Sequence, residues 1–326
     1  MFHWEDGLFL TRPRLALDVQ RRQPHGFVSH AHADHLARHQ TISCTPATAR
    51  LCRIRLGASP RYALLPYRQP QAWGDVQLTA YPAGHCLGSA MLLVEGCRVQ
   101  GHERSLLYTG DFRLGAAHTA EPADVPQADV LVMECTFGRP AYRLPPREEI
   151  EAELVDRVRQ TLDDGAQPVI HAYPLGKAQE ATRILTRRGI AVLQHPEIYR
   201  LSEAYRAEGV ELGDVQPYRT DLLPGRAVVT LPKRLSRYRL PGIARPVSFA
   251  VTGWAVDPQT AARWQADCAL PLSDHADFAE LLELPRRVQP RQVYCTHGPR
   301  EFVDELRREG WQAWSAADGF QLPRFS

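Results

Sequence analysis

The sequence predicts an α/β protein in two parts: a strand-rich part drawn from both ends of the chain, and an α/β layer inserted between them. Short β-type runs recur over the first 137 residues, rich in Val, Leu, Phe or Tyr and mostly bounded by Gly, Pro or Asp. From about residue 147 the texture changes to helical periodicity alternating with apolar strands. Imidazole and carboxylate side chains also stand at the ends of strand-like runs far apart in the chain. The expected boundaries are 1–140 and 251–326 for the first part and 141–250 for the insertion.

In chain order, GLFLT, LALDV, GFVSH, QLTAYP, AMLLVEG, SLLYTGDF and DVLVMECTF read as strands. Ala47 to Leu56 reads as a helix capped by Thr45, with Pro46 at its first position. REEIEAELVDRVRQTLDDG has apolar residues at helical spacing and a closing Gly. PVIHAY follows as a buried strand, then GKAQEATRILTRRG and EIYRLSEAYRAEG as helices. FAVTGWA and QVYCTHG read as strands, DFAELLELPRRV and PREFVDELRREG as helices.

Composition is that of a globular protein, with 44% hydrophobic and 23% charged residues in 326. No apolar run approaches the roughly 18 residues of a membrane span. The N-terminal MFHWEDGLFL lacks a basic stretch before an apolar core, so the expected location is the cytoplasm, with no membrane partner. Seven cysteines without a CxxC pair suggest buried free thiols. The net charge of +2 neither requires nor excludes nucleic acid, but arginines cluster at 12–22, 183–188 and 233–245. Each cluster reads as solvated surface or as a track for a phosphate backbone.

The chemistry concentrates at GFVSHAHADH, where His30, His32, Asp34 and His35 fall within six residues after an apolar strand end. Burying four such groups unpaired is costly. Imidazole and carboxylate are ligands for zinc, manganese or iron. His85 after QLTAYP, Asp111 after SLLYTG and His297 after QVYCT extend the set to seven, enough for two cations with Asp111 bridging. Asp18, ending LALD, is placed to orient a ligand histidine. Two cations about 3.5–4 Å apart activate a water and clamp a phosphoryl oxygen. A leaving oxygen then needs a proton, for which His275 in PLSDHADF is the candidate, with Glu134 in VLVMECTFG as its partner. The simpler readings are a helix cap at Ser273 or Asp274 and an ordinary buried carboxylate.

HAHADH resembles the metal motif of the metallo-β-lactamase superfamily, and AGHCLGSA, YTGDFR and ECTFG resemble the next motifs of its β-CASP nucleases. The resemblance implies a metallo-β-lactamase αββα sandwich with a compact inserted β-CASP α/β domain, and metal-dependent phosphodiester hydrolysis. It puts His30, His32 and His85 on one ion and Asp34, His35 and His297 on the other, with Asp111 between them. Asp34, Asp111, Glu134 and His275 would carry catalysis. The motif set is most similar to the bacterial ligase-associated DNA exonucleases, implying an ATP-dependent DNA ligase and a helicase in the same pathway. PLGKAQE, VTGWA and LSDHADF resemble the DNA-repair branch, whereas AGHCLGSA and His297 resemble the RNA-processing branch.

The expectation is therefore a DNA exonuclease with two divalent ions (Zn or Mn, with Fe compatible), 5′-end-directed and acting in repair. The alternative is an RNase of the β-CASP RNA-processing type. Independently, Gly176 and Lys177 precede a helix and could hold a phosphate. Trp254 reads as a core residue or a base-stacking platform.

Overall fold

Leu78 and Ala80, Leu92 and Val94, Leu106 and Tyr108, and Val130 and Val132 are buried at every second position of four neighbouring strands. That period turns one face of each strand toward a shared core. The opposing face comes from Phe2, Leu8, Leu10, Leu15, Leu17 and Phe27. The computed structural model describes residues 1–235 and 240–320. Arg237 and Arg239 of the third arginine cluster lie outside those residues.

The chain forms two units. One comprises Met1–Ala116, Ala120–Pro140 and the chain from His275 onward; the other comprises Ala117–Thr119 and Ala141–Asp274. In the first unit, six strands lie in sequence order: Phe2–Trp4, Leu8–Leu10, Leu15–Leu17, His25–Phe27, Thr41–Cys44 and Arg61–Leu64. A seven-stranded sheet packs on them in the order Ala313–Ser315, Gln292–Thr296, Val130–Glu134, His102–Tyr108, Ala90–Val99, Val76–Pro82 and Gln71–Trp73. Val76–Pro82, His102–Tyr108, Val130–Glu134 and Gln292–Thr296 run in one direction, so all four end at the same edge.

Helix Pro46–Leu56 crosses over between two parallel strands of the first sheet, capped by Thr45 as expected. Glu301–Arg308 lies against the strands Gln292–Thr296 and Ala313–Ser315 of the second. Helix Phe278–Val288 begins at Asp277, which forms a reciprocal capping box with Glu280, so neither Ser273 nor Asp274 caps it. No helix among the described residues is long and apolar enough to cross a membrane.

The second unit holds a fully parallel six-stranded sheet: Val215–Pro217, Val192–Gln194, Ala227–Thr230, Gln167–His171, Pro246–Val251 and Cys268–Leu270. Ala227–Thr230 and Val192–Gln194 are buried at every position, as strands covered on both faces are. The sequence reading closes the insertion at 250. In the structure Cys268–Leu270 pairs with Phe249–Val251, so this unit continues to Asp274. A three-residue strand carries too little periodicity to be seen before its partner is known.

Within the second unit, a charged network fastens the short segment Ala117–Thr119. Glu180 accepts from the backbone N–H of His118 (2.7 Å) and the hydroxyl of Thr119 (2.5 Å). Arg147 bridges Glu151 (2.6 Å) and Glu180, and His118 Nε2 lies 2.9 Å from Glu151. Arg187 adds a contact to His118 Nδ1 at 2.6 Å. Burial opposes ionisation of Glu151, but His118 and Arg147 outweigh it and hold its carboxyl below the usual range. Although His118, Glu151 and Glu180 are close enough to ligate a cation, Arg147 already compensates both carboxylates.

Arg147→Ala should strip both glutamates of their cation and cost about 3 kcal/mol of unfolding free energy, as breaking a buried pair does. Urea melts would measure the loss. Because the Glu151 pKa is depressed on folding, its contribution is complete above the unfolded carboxylate pKa and fades as pH falls through the folded value. The variant's deficit relative to the parent should therefore shrink in acid.

Candidate metal centre

The ligand edge is where the two sheets of the first unit are stitched together. Strand His25–Phe27 hands over to Val28 and Ser29, and the Ser29 carbonyl accepts from Ala90 N–H of the second sheet at 2.9 Å. Gly110 has φ +54°, and a Cβ there would fall 2.5 Å from the Ser29 side chain, so glycine permits this approach. His30, His32 and His35 follow on the loop and a single turn of 3₁₀-helix, Ala33–His35.

His85 arrives from the end of Val76–Pro82 and Asp111 from the end of His102–Tyr108. His32 Nδ1 lies 3.0 Å from His30 Nε2 and 3.1 Å from His85 Nε2. Asp111 Oδ2 stands 3.3 Å from His35, 3.5 Å from His30, and 3.9 Å from both His85 and His275, measured to Nε2. Donor atoms of His30, His32, His85 and Asp111 all fall within 4.8 Å of one another. Three ring nitrogens and a carboxylate oxygen at that spacing match the donor set of a borderline divalent ion. Mutual hydrogen bonds cannot satisfy them, because one N–H on His32 serves only one neighbour.

The remaining expected ligands are more open. His35 Nε2 is 4.0 Å from Asp34 Oδ2, and the rings of His35 and His297 are 5.5 Å apart. Asp34 and His297 are exposed. His297 takes a left-handed φ of +48°, uncommon for a residue with a Cβ. The ring Nδ1 sits 3.2 Å from Thr296 Oγ1.

The electrostatics separate the rings. Burial, His35 and His85 hold His30 well below the usual imidazole range, which keeps a lone pair available. Burial also works against charge on His35, but Asp111 and Asp18 outweigh it and hold that ring well above the range. Burial opposes ionisation of Asp111 too; His35 and His275 prevail and keep it well below the carboxylate range.

Beneath the rings, Asp18 accepts from Ser29 N–H (2.7 Å), Ser29 Oγ (2.5 Å), Tyr108 OH (2.8 Å) and His35 Nδ1 (2.9 Å). Ser29 Oγ also meets His30 Nδ1 at 3.0 Å. With their Nδ1 atoms engaged, His30 and His35 turn Nε2 toward Asp111. Ser29 and Tyr108 are absent from the sequence-derived set. Their only sequence signal is position, beside His30 and three residues before Asp111.

His275 and Glu134 meet as expected, Nδ1 to Oε1 at 3.0 Å. Glu134 is 1% exposed and also accepts from the backbone N–H groups of Phe112 (3.1 Å) and Thr136 (3.2 Å). Two other expectations change. Lys177 is buried and ion-paired with Asp274 inside the second unit, so Gly176–Lys177 does not present a free cation to a phosphate. Trp254 is 39% exposed and packs edge-on against Tyr142, outside the core.

Comparison with known proteins agrees with this geometry. Residues 269–315 match the family model described as a Zn-dependent metallo-hydrolase RNA specificity domain. The chain is similar to a probable DNA ligase of Opitutus terrae, 38% identical over 97% of this chain and 31% of that protein. It is similar to 5' exonuclease Apollo of Gallus gallus, 30% identical over 82% of this chain and 57% of Apollo. An RNase J-like protein of Methanocaldococcus jannaschii is 32% identical over 48% of this chain and 42% of its own length. The chain thus spans only about a third to three-fifths of the length of these relatives. A solved structure of a protein of unknown function from Enterococcus faecalis V583 shares the fold, with TM-score 0.60, 16% identity, and coverage of 89% of this chain and 78% of that one. The sandwich, its candidate metal edge and these similarities together support a β-CASP nuclease fold of the metallo-β-lactamase superfamily.

Proposed function

We propose that the chain is a two-metal exonuclease hydrolysing DNA phosphodiester bonds, 5′-end-directed, in the cytoplasm and in DNA repair. The observation that carries this reading is the convergence of His30, His32, His85 and Asp111 beside the Glu134–His275 pair. It is a cation donor set with a proton donor at its rim. The similarity to a protein named probable DNA ligase, along nearly the whole chain, favours DNA and a DNA ligase as partner; that the ligase is ATP-dependent and a helicase shares the pathway is what the motif resemblance implies. Apollo favours the 5′ end. The RNase J-like relative and the RNA specificity model favour the alternative, an RNase. In this reading the second unit is the β-CASP insertion.

His30, His32 and His85 would hold one divalent ion and Asp34, His35 and His297 the other, with Asp111 shared. Zinc, manganese or iron suits these donors. Such ions, when bound, supply Lewis acidity toward a phosphoryl oxygen and an activated water. The chain does the rest. Asp18 and Ser29 orient His35 and His30. Glu134 accepts a hydrogen bond from His275 Nδ1–H, so that with the ring protonated on both nitrogens Nε2–H faces Asp111 and is placed to protonate the departing 3′-oxygen. Burial of Glu134 with two backbone donors holds that ring in one orientation.

End-labelled DNA and RNA strands of matched sequence, incubated with Mn²⁺ or Zn²⁺, test the reading. Mononucleotides should be released from 5′-labelled DNA first. Metal-dependent release from RNA alone would establish the RNase instead, and release from neither would defeat both. Asp111→Asn should abolish turnover with the melting temperature retained; full activity in that variant would remove Asp111 from the centre. His275→Ala should lower kcat by roughly 10²–10⁴-fold without loss of bound metal, and metal loss would make His275 a ligand. Asp18→Asn should weaken metal affinity about 10–100-fold by chelator competition, since the rings lose their anchor.

A further inference from the structure

The second unit carries a pocket apart from the candidate metal centre, at the start of the 233–245 basic cluster. Pro232, Lys233, Arg234, Arg263, Trp264 and Gln265 enclose about 160 Å³. Lys233 and Arg234 are exposed, and among the described residues neither has a carboxylate within ion-pair distance. Both are nevertheless held in place, by neutral groups. Arg234 donates to the Tyr173 hydroxyl at 2.8 Å, and its guanidinium lies 6.0 Å from the Trp264 ring centre. Tyr173 meets Trp264 edge-on at 5.6 Å, so ring and guanidinium share one support. Lys233 donates to the carbonyl of Gln265, whose left-handed φ of +53° ends the turn after Trp264.

Ordering long side chains costs conformational entropy, and on an ordinary surface an acidic neighbour offsets it. The acidic neighbours here are engaged first with other groups, although the Asp267 carboxylate also feels the Lys233 charge. Asp257 pairs with Arg263 at 2.8 Å, and Asp267 accepts from Ser248 N–H and Oγ, both at 2.7 Å. Two held cations, neither of them in an ion pair among the described residues, therefore border a pocket with an indole in its wall. Cations alone suit any anion, a peptide carboxylate included. The ring adds a planar apolar face that a chain of bases fills and a chain of carboxylates does not.

We infer that this pocket is an anchoring site for a single strand of nucleic acid, with one base against Trp264 and adjacent phosphates on Arg234 and Lys233. The inference rests on the proposed action on nucleic acid, and assigns a strand contact built wholly from the second unit. The guanidinium fork matches phosphate oxygens, and the indole accepts any base, so the site holds a strand without reading its sequence.

Fluorescence anisotropy of labelled oligothymidylate on EDTA-treated protein tests this without turnover. Trp264→Ala should weaken binding roughly tenfold, and Trp264→Phe should restore most of it. Arg234→Ala should weaken binding and flatten the slope of log Kd against log salt by about one. An abasic strand, requiring no variant, should bind wild-type protein roughly tenfold more weakly. Unchanged affinity in Trp264→Ala and Arg234→Ala would overturn the assignment. Equal affinity for abasic and thymidylate strands would also overturn it, by reducing the pocket to a simple anion site. Hydrolysis of bis(p-nitrophenyl) phosphate and labelled DNA by the metal-loaded wild type is scored separately. Its failure would sink the nuclease reading, while the anisotropy would still decide the strand site.

Discussion

The Asp18 carboxylate is the constraint on which the ligand edge depends. A buried carboxylate is costly unless its oxygens are filled, and Asp18 accepts four hydrogen bonds from three residues. One comes from Tyr108 of the second sheet, and two come from Ser29, next to the first sheet. The fourth comes from His35. A single anion thus joins the sandwich at its ligand edge and sets the angle of the rings above. In low dielectric such a network is strong when complete and costly when broken. Asp18 adopts φ +49° to reach this position, a conformation that Asp tolerates better than most residues with a Cβ.

Strand direction supplies the other half of the arrangement. Four parallel-running strands of the second sheet end at one edge, and His85, Asp111, Glu134 and His297 stand at or just beyond those ends. Strand ends are where a sheet stops satisfying its own polar groups, and the loops there are free to carry chemistry. The rings are not equivalent. His30 is held neutral by burial and by its imidazole neighbours, whereas His35 is held charged by two carboxylates. A cation replacing that proton on His35 would meet the same two anions, so the field that charges the ring is the field that would favour a metal.

The two units divide the chemistry in kind. The first concentrates imidazoles and buried carboxylates, a set suited to cations. The second keeps its buried charges in closed pairs, Arg147 with Glu151 and Glu180, and Lys177 with Asp274. Lys233 and Arg234, by contrast, are held by a carbonyl and a hydroxyl. Closed pairs add order without attracting a ligand. Cations held outside ion pairs are what a phosphate backbone can use.

The convergence of His30, His32, His85 and Asp111 was legible in the sequence, because HxHxDH after a strand and Gly-flanked His or Asp at other strand ends have few structural uses. So were the Thr45–Pro46 cap and most helices, whose signals are local in the chain. Ser29 and Tyr108 were not legible, since a serine and a tyrosine carry no mark until Asp18 folds against them. The fate of Lys177 was equally hidden: a glycine and lysine before a helix look alike whether the ammonium meets solvent or Asp274, 97 residues away. Trp254 read as core or as a stacking platform, and only packing left it 39% exposed. By itself, then, the sequence determined which atoms could bind a cation and where helices begin, because those depend on residue type and near neighbours. Tertiary structure decided which charges are neutralised, which rings are oriented and where the inserted unit closes, because those depend on partners the chain brings together only when folded.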